Sequence, residues 1–273
     1  MNGLRPELIP AHRRSLMLDH LKSKGAASIQ ELVEASGASP STVRRDLEHL
    51  EERGYIERTH GGALIQNRPA ASTFEPEAGI SARFARHEKA AIGRLAAASL
   101  KPGQSVIFDS GSTVRMAAQA AADRDVPLTA VTNDLGIGQV LANARPVHLL
   151  VLGGSLRPGS LTLTGEPGQD FLKSLRADVA FVGTHAISET TLSDTSLEIA
   201  AMKRAIIAAA RRIVLLADSS KFQAAAFSRI CDITAVHELI TDEGAPAAEV
   251  ERLRDLGVVV SLARAKATAS RAA

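Results

Sequence analysis

Seven short apolar runs, spaced so that helices fit between several of them, constrain this chain more than any other feature. They are SVIFD (Ser105 to Asp109), LTAVTN (Leu128 to Asn133), VHLLVLGG (Val147 to Gly154), DVAFVG (Asp178 to Gly183), RIVLLAD (Arg212 to Asp218), AVHELITD (Ala235 to Asp242) and VVVSL (Val258 to Leu262). Most are continuous rather than alternating, the pattern of strands covered on both faces in a parallel sheet. EIAAMKRAIIAAA, with Ile199, Met202 and Ile206 on one side, has the periodicity of a covering helix. The fold class is therefore α/β, with an open, mostly parallel sheet over residues 81–262.

Open sheets of this kind bind ligands beyond the carboxyl ends of their strands. Small and polar residues gather at those ends here: Asp109, Ser110, Gly111, Ser112 and Thr113; Thr132 and Asn133; Gly153 and Gly154; Gly183 and Thr184; Asp218 and Lys221. DSGST (Asp109 to Thr113) follows a strand and opens a helix, so its amides, hydroxyls and helix dipole suit a phosphate. Lys221 supplies an opposing positive charge. A single Gly/Ser turn after a strand is more often just a turn. Five at one sheet edge argue for an anion-binding cleft.

Residues 1–66 follow a different pattern. Helices are expected from about Pro10 to Lys24, after the Ser28/Glu31 capping box, and from Pro40 with Ser39 as cap. Gly37 and Gly54 are the expected helix stops. On the third helix Val43, Leu47 and Leu50 form a buried stripe, while Ser41 and Arg45 point away from it and Thr42 and Arg44 flank it. YIERT (Tyr55 to Thr59), a turn at His60-Gly61-Gly62 and a return through Ala63 to Ile65 make a hairpin. Three helices, a tight turn and a hairpin constitute a winged helix-turn-helix. Most charge pairs on helices are only a solvated face. Here Ser41, Thr42, Arg44 and Arg45 fall where a recognition helix meets the major groove, and Arg58 and His60 fall on the wing, which favours DNA.

STVRRDLEHLEERGYIERTHGGA closely resembles the DNA-binding signature of the DeoR family of bacterial transcriptional regulators. The resemblance implies a repressor with an N-terminal DNA-binding domain and a C-terminal sugar-phosphate sensor resembling the ribose 5-phosphate isomerase fold. The sensor's usual marks occur in order: DSGST, VTND, GGSLRPGSLTLTGE, AFVG, Glu198 with Lys203, LADSSKF and ITD. Glu198 enters the effector-binding set on this ground. One segment departs: after Gly183, where family members usually carry a Gly-rich loop, this chain has THAISETTLSDTS.

The remaining features bound the function. Residues 67–80 contain prolines and small residues and read as a linker, and 263–273 as a disordered tail. A net charge of +2 overall, with ten Lys/Arg against nine Asp/Glu in residues 1–68, leaves DNA affinity to a local patch. The one cysteine, Cys231, excludes an intramolecular disulfide and a cysteine-rich metal site. No signal peptide or membrane-length apolar run is present, so a cytoplasmic protein is expected. GIGQVL (Gly136 to Leu141) mimics a dinucleotide fingerprint but lacks the third glycine and is placed mid-helix. His148 and His237 read as core histidines, and no catalytic residue, metal or cofactor is expected. Two classes stay open: a regulator, repressing or activating, that binds double-stranded operator DNA and a phosphorylated sugar or polyol; and an isomerase-like enzyme carrying a DNA-binding domain. A two-fold homo-oligomer, dimer or tetramer, is expected because helix-turn-helix proteins read paired half-sites.

Overall fold

The computed structural model describes residues 10–52, 55–59, 61–65 and 85–265 and divides into two compact units, Met1–Phe84 and Ala85–Ala273. Gly54, His60, the expected linker and the expected tail beyond Ala265 lie outside the described residues.

The first unit runs α1 (Pro10–Lys24), β1 (Ala26–Ser28), α2 (Ile29–Ser36), α3 (Pro40–Glu52), β2 (Ile56–Thr59) and β3 (Gly62–Ile65). At α2, Ser28 accepts from the Glu31 amide while Glu31 accepts from the Ser28 amide, and Gly37 stops the helix at φ 66°. Ser39 Oγ accepts from the Thr42 amide at 3.3 Å and so caps α3. Met17, Leu18, Leu21, Leu32, Val43, Leu47, Leu50 and Ile56 form one buried core. The wing is larger than the expected hairpin. β1 pairs with β3, giving the antiparallel order β1-β3-β2. Three residues between two helices carry too little pattern to read as a strand.

The second unit opens with α4 (Arg86–Ala98), then β4 (Ser105–Phe108), α5 (Ser112–Ala122), β5 (Leu128–Thr132), α6 (Leu135–Ala142) and β6 (Val147–Val151). A short hairpin, β7 (Ser155–Leu156) and β8 (Leu163–Thr164), precedes α7 (Glu166–Lys173) and β9 (Ala177–Val182). β10 (Ala186–Ser188), β11 (Thr191–Asp194), α8 (Leu197–Ala208), β12 (Ala210–Leu216), β13 (Ser228–Asp232), β14 (Glu238–Asp242), α9 (Ala247–Asp255) and β15 (Val259–Ala263) complete it. The seven expected strands form one parallel sheet, ordered β15-β14-β12-β9-β4-β5-β6. One face packs Met202 and Ile206 of α8, and the other packs Ile92 and Ala96 of α4 with Val114 and Ala117 of α5. Phe108 and Phe181 meet edge to face, with centroids 5.5 Å apart, at the centre of the second layer.

The segment after Gly183, THAISETTLSDTS, is ordered: β10 and β11 pair within it, and β13 pairs on β11. Two readings need correction. His148 is exposed, because β6 is an edge strand and shows a face to solvent. His237 is also exposed and precedes its strand, where its Nδ1 accepts from the Ile213 amide at 3.1 Å. GIGQVL opens α6 rather than lying in its middle. Its first amides are already taken, since Asp134 Oδ1 accepts from Gly136 and Ile137 at 2.8 and 3.0 Å.

Candidate functional site

On α3 the motif Arg44-Arg45-Asp46-Leu47 divides by direction. Leu47 is buried, and Asp46 is buried with it, receiving Arg13 Nε at 2.5 Å and Arg14 Nε at 3.4 Å. The acid therefore ties α3 to α1. Arg44 and Arg45 are exposed and have no ion-pair partner among the described residues. Ser41 is exposed and Thr42 half-buried, with both hydroxyls 2.9 Å from Ser39 Oγ. Arg58 differs from expectation. Its guanidinium lies 3.2 Å from Glu48 Oε1 and 4.0 Å from Glu51 Oε2, which ties the wing to α3 and offsets the charge.

In the second unit the polar turns do gather at the carboxyl edge of the sheet. At the adjacent ends of β4 and β9, Asp109 Oδ2 accepts from the Gly183 amide at 3.0 Å and from Lys203 Nζ at 2.5 Å. Lys203 Nζ also donates to the Gly183 carbonyl at 3.0 Å, closing a ring across two strands and α8. Lys203 and Asp109 are both buried, so neither charge is left uncompensated. Gly111 sits at φ 119°, a conformation that L side chains rarely adopt, and starts α5 so that Ser112 and Thr113 form its first turn. A helix start of this kind presents amides and the positive end of the dipole.

Burial pushes the Asp134 pKa up, against the pull of the amides of Ile137, Gly136 and Gly111. Next to it Asn133 donates to the Leu163 carbonyl at 3.2 Å and accepts the Leu163 amide on its own carbonyl at 2.7 Å. Thr132, fully buried, accepts from the Asp134 amide at 3.1 Å. Asn133 thus holds the β7–β8 hairpin against the end of β5. Gly154 serves the same packing, since a Cβ there would lie 2.3 Å from the Thr164 carbonyl oxygen. Gly153 is exposed beside it, and Thr184 is half-buried, donating to the Ala186 and Ser193 carbonyls at 3.0 Å.

At the end of β12, Asp218 accepts from the Ser220 hydroxyl at 2.5 Å and lies 3.7 Å from Lys89 Nζ of α4. Burial raises the Asp218 pKa, but the charges of Lys89 and Lys221 and the Ser220 hydrogen bonds more than offset it, so the net shift is downward. Lys221 is half-buried beside it. Glu198 stands apart: it is exposed at the start of α8, where the Ser196 hydroxyl lowers its pKa, with a smaller contribution from Arg157. Asp109 Oδ1, Asn133 Oδ1, Asp218 Oδ2 and Thr241 Oγ1, at the ends of four strands, are buried and have no hydrogen-bond partner among the described residues.

Lys89 was missed, and Lys203 entered only with Glu198 as a mark of the family resemblance, outside the effector-binding set. The signal lay in the helices: each lysine occupies an apolar stripe, Lys89 with Ile92 and Ala96, Lys203 with Ile199 and Ile206. A lysine there is nearly always paired.

A winged helix-turn-helix with exposed arginines on α3, in a chain that also holds a parallel sheet with a polar carboxyl edge, defines a ligand-responsive transcriptional regulator. The two units match the DeoR-like helix-turn-helix domain over residues 13–68 and the DeoR C terminal sensor domain over 85–243. The chain belongs to the DeoR family. It is 32% identical over 253 residues to a putative aga operon transcriptional repressor of Escherichia coli O157:H7, covering 92% of this chain and 93% of that one. It is 31% identical over 251 residues to the glycerol-3-phosphate regulon repressor of E. coli strain K12, covering 92% and 98%. Among solved structures, ribose 5-phosphate isomerase A from Methanocaldococcus jannaschii overlaps 49% of this chain and 53% of its own, with a TM-score of 0.38 and 16% identity. No helix of the described residues is long and apolar enough to cross a membrane.

Proposed function

We propose that this protein is a repressor that holds operator DNA through Arg44, Arg45 and Ser41 of α3 and releases it when a phosphorylated sugar or polyol binds the carboxyl edge of the sheet. The observation that carries this reading is the Asp109–Gly183–Lys203 ring. It fixes the strand ends around the Ser110–Thr113 turn, so that a helix start and nearby Lys221 meet an anion in a preformed place. The ligand's other end is polyhydroxylated in this reading. Asp109 Oδ1, Asn133 Oδ1 and Asp218 Oδ2 are acceptors without a hydrogen-bond donor among the described residues, and sugar hydroxyls are donors.

The protein acts as a regulator rather than an enzyme, in the cytoplasm, and as an oligomer whose two DNA-binding heads meet two half-sites. Enediol chemistry needs a positioned base. The charged residues after Gly183 do not provide one: Glu189 is exposed at the hairpin turn and Asp194 is buried with its Oδ1 on the Thr195 amide at 2.9 Å. A thermal-shift screen of pentose, hexose and polyol phosphates, followed by gel shifts on the protein's own upstream DNA, tests the proposal. A ligand that raises stability and releases DNA is expected. Turnover of any of these phosphates, or release by none of them, overturns it.

A further inference from the structure

Lys221 reaches the carboxyl edge on a turn that belongs to no strand and no α-helix. Ser219–Lys221 form a three-residue 3₁₀ turn after β12, so the place of the ammonium depends on what holds that turn. Asp218 holds it from within its own strand end: Oδ1 accepts from the Ser220 amide at 3.1 Å, and its carbonyl accepts from the Lys221 amide at 2.9 Å. On the far side Phe222 packs on the sheet core and bridges Ile187, and Gln223 Nε2 donates to the His185 carbonyl at 2.9 Å. A further anchor comes from the neighbouring strand. Asp242, at the end of β14, accepts from the Ser219 amide at 2.6 Å on Oδ1 and from the Gly244 amide at 3.0 Å on Oδ2.

We propose that Asp242 is a positioning residue for the ligand: it holds the Ser219–Lys221 turn where the Lys221 ammonium meets the ligand's anionic end. The inference rests on the cleft reading above. Asp242 is 5% exposed, and a carboxylate buried to that degree is fixed by the amides it accepts, in bonds stronger than those between neutral groups. Each oxygen serves a different segment, one the turn after β12 and one the turn after β14. The two strands pair in parallel, Leu216 beside Ile240, so the carboxylate clamps adjacent strand ends together. Lys221 lies at the other end of the clamped turn, near enough to Asp218 to pull that carboxyl's pKa down.

The fit around this carboxylate leaves no spare room. A Cβ on Gly244 would lie 2.8 Å from Asp242 Oδ2 and 2.9 Å from Ser219 Oγ, so any side chain there must displace the carboxylate, the turn or both. The tight seat has a use. Lys carries its charge on a long, flexible stem and loses rotamer freedom when it grips an anion. A turn that could also wander would add its own ordering cost to binding. Holding the Lys221 backbone in advance removes that second cost and leaves only the side chain to order.

The test uses the full chain, with hydrogen exchange over residues 219–223 in the absence of ligand and calorimetry with inorganic phosphate as probe. Asp242→Asn keeps an oxygen for the Ser219 amide, Asp242→Ala keeps none, and Gly244→Ala leaves the carboxylate but crowds it. Without ligand, Asp242→Ala should exchange about tenfold faster over residues 219–223, with Asp242→Asn nearer to wild type. Phosphate affinity should fall about tenfold in Asp242→Ala, and about two- to threefold in Asp242→Asn and in Gly244→Ala. In a Lys221→Ala background Asp242→Ala should cost nothing more, a result that a general loss of structure would not give. Unchanged exchange or unchanged phosphate affinity in Asp242→Ala, or a further loss without Lys221, overturns the proposal. Should Asp242→Ala fail to fold, Asp242→Asn and Gly244→Ala carry the same comparison. If phosphate fails to bind the wild type, the cleft reading fails by itself, and the exchange measurement still decides whether Asp242 holds the turn.

Discussion

The two units place their positive charges in opposite ways. On α3, Arg44 and Arg45 are exposed with no partner among the described residues. At the sheet edge, Lys89 and Lys203 are buried and each faces a carboxylate. An exposed arginine acts on a partner at a distance, gains little from its own fold and is screened within about 8–10 Å at ordinary salt. A buried lysine is nearly blind to salt, but its loss leaves a carboxylate stranded. The first arrangement suits recognition of a long polyanion, and the second suits a site whose geometry has to stay fixed until a ligand changes it. Asp46 belongs to the second kind although it sits inside the first motif, which is why the arginines before it point outward and the acid points in.

The comparison breaks most visibly at Lys203. Lys203→Met should destabilise the sheet unit by about 3–5 kcal/mol, because Asp109 would keep its charge with only the Gly183 amide to serve it. Adding Asp109→Asn should recover much of that loss, since an amide oxygen still accepts from Gly183. Urea unfolding of the single and double variants checks both statements, and equal losses would mean that packing, not charge, holds the corner.

Lys221 lies between the two kinds, half-buried yet close enough to Asp218 for its charge to lower that carboxyl's pKa. Lys221→Ala should leave stability nearly unchanged and weaken the phosphorylated ligand by about 1.5–3 kcal/mol, the value of a hydrogen bond to a charged group. Ser112→Ala or Thr113→Ala should cost only about 0.5–1.5 kcal/mol, because the backbone amides of the turn remain. Calorimetry ranks them; full affinity in a Lys221→Ala, Thr113→Ala double variant would place the ligand elsewhere.

For the exposed class, Arg45→Ala should leave unfolding within about 0.5 kcal/mol of wild type. It should weaken operator binding by about 1–3 kcal/mol at one base position if the guanidinium reads a guanine edge. If it meets phosphate only, the loss should be the same on every sequence and the salt dependence shallower. Gel shifts at two salt concentrations separate the cases, and unchanged binding with both arginines removed would sink the assignment of α3.

The same division explains what could be read from the sequence. The seven parallel strands were legible because burial on both faces leaves continuous apolar runs, and the α3 stripe was legible because one face alone is apolar. The β10–β11–β13 sheet was not, since strands as short as Ala186–Ser188 and Thr191–Asp194, mixing apolar and small polar residues, carry neither signal. His148 was misread because a central and an edge strand look alike until their neighbours are known. The polar turns at the carboxyl edge were legible from their position after strands, but the lysines that pair there arrive from helices distant in sequence. Asp109 and Lys203 are 94 residues apart, and nothing local marks that pairing.

The smallest effect tests the exposed class within the fold itself. Glu31 closes the capping box of α2, and the Ser28 amide, then Lys24 and the Ser28 hydroxyl, hold its pKa down to about 2 from 4.5. A carboxyl whose folded pKa is depressed stabilises the fold while it is ionised. Its contribution is therefore complete above the unfolded value near 4.5 and is lost as pH falls from there toward 2. Lys24 Nζ contacts Glu31 Oε1 at 2.9 Å on the exposed surface, so salt should trim the effect without abolishing the amide hydrogen bond. Glu31→Gln should lie slightly below wild type in stability at neutral pH, with the gap closing as acid is added. Thermal unfolding of the two proteins from pH 7 downward measures the gap. If it stayed constant through pH 3, the capping contact would owe nothing to the charge, and the low pKa of Glu31 would have no part in holding the helix that precedes α3.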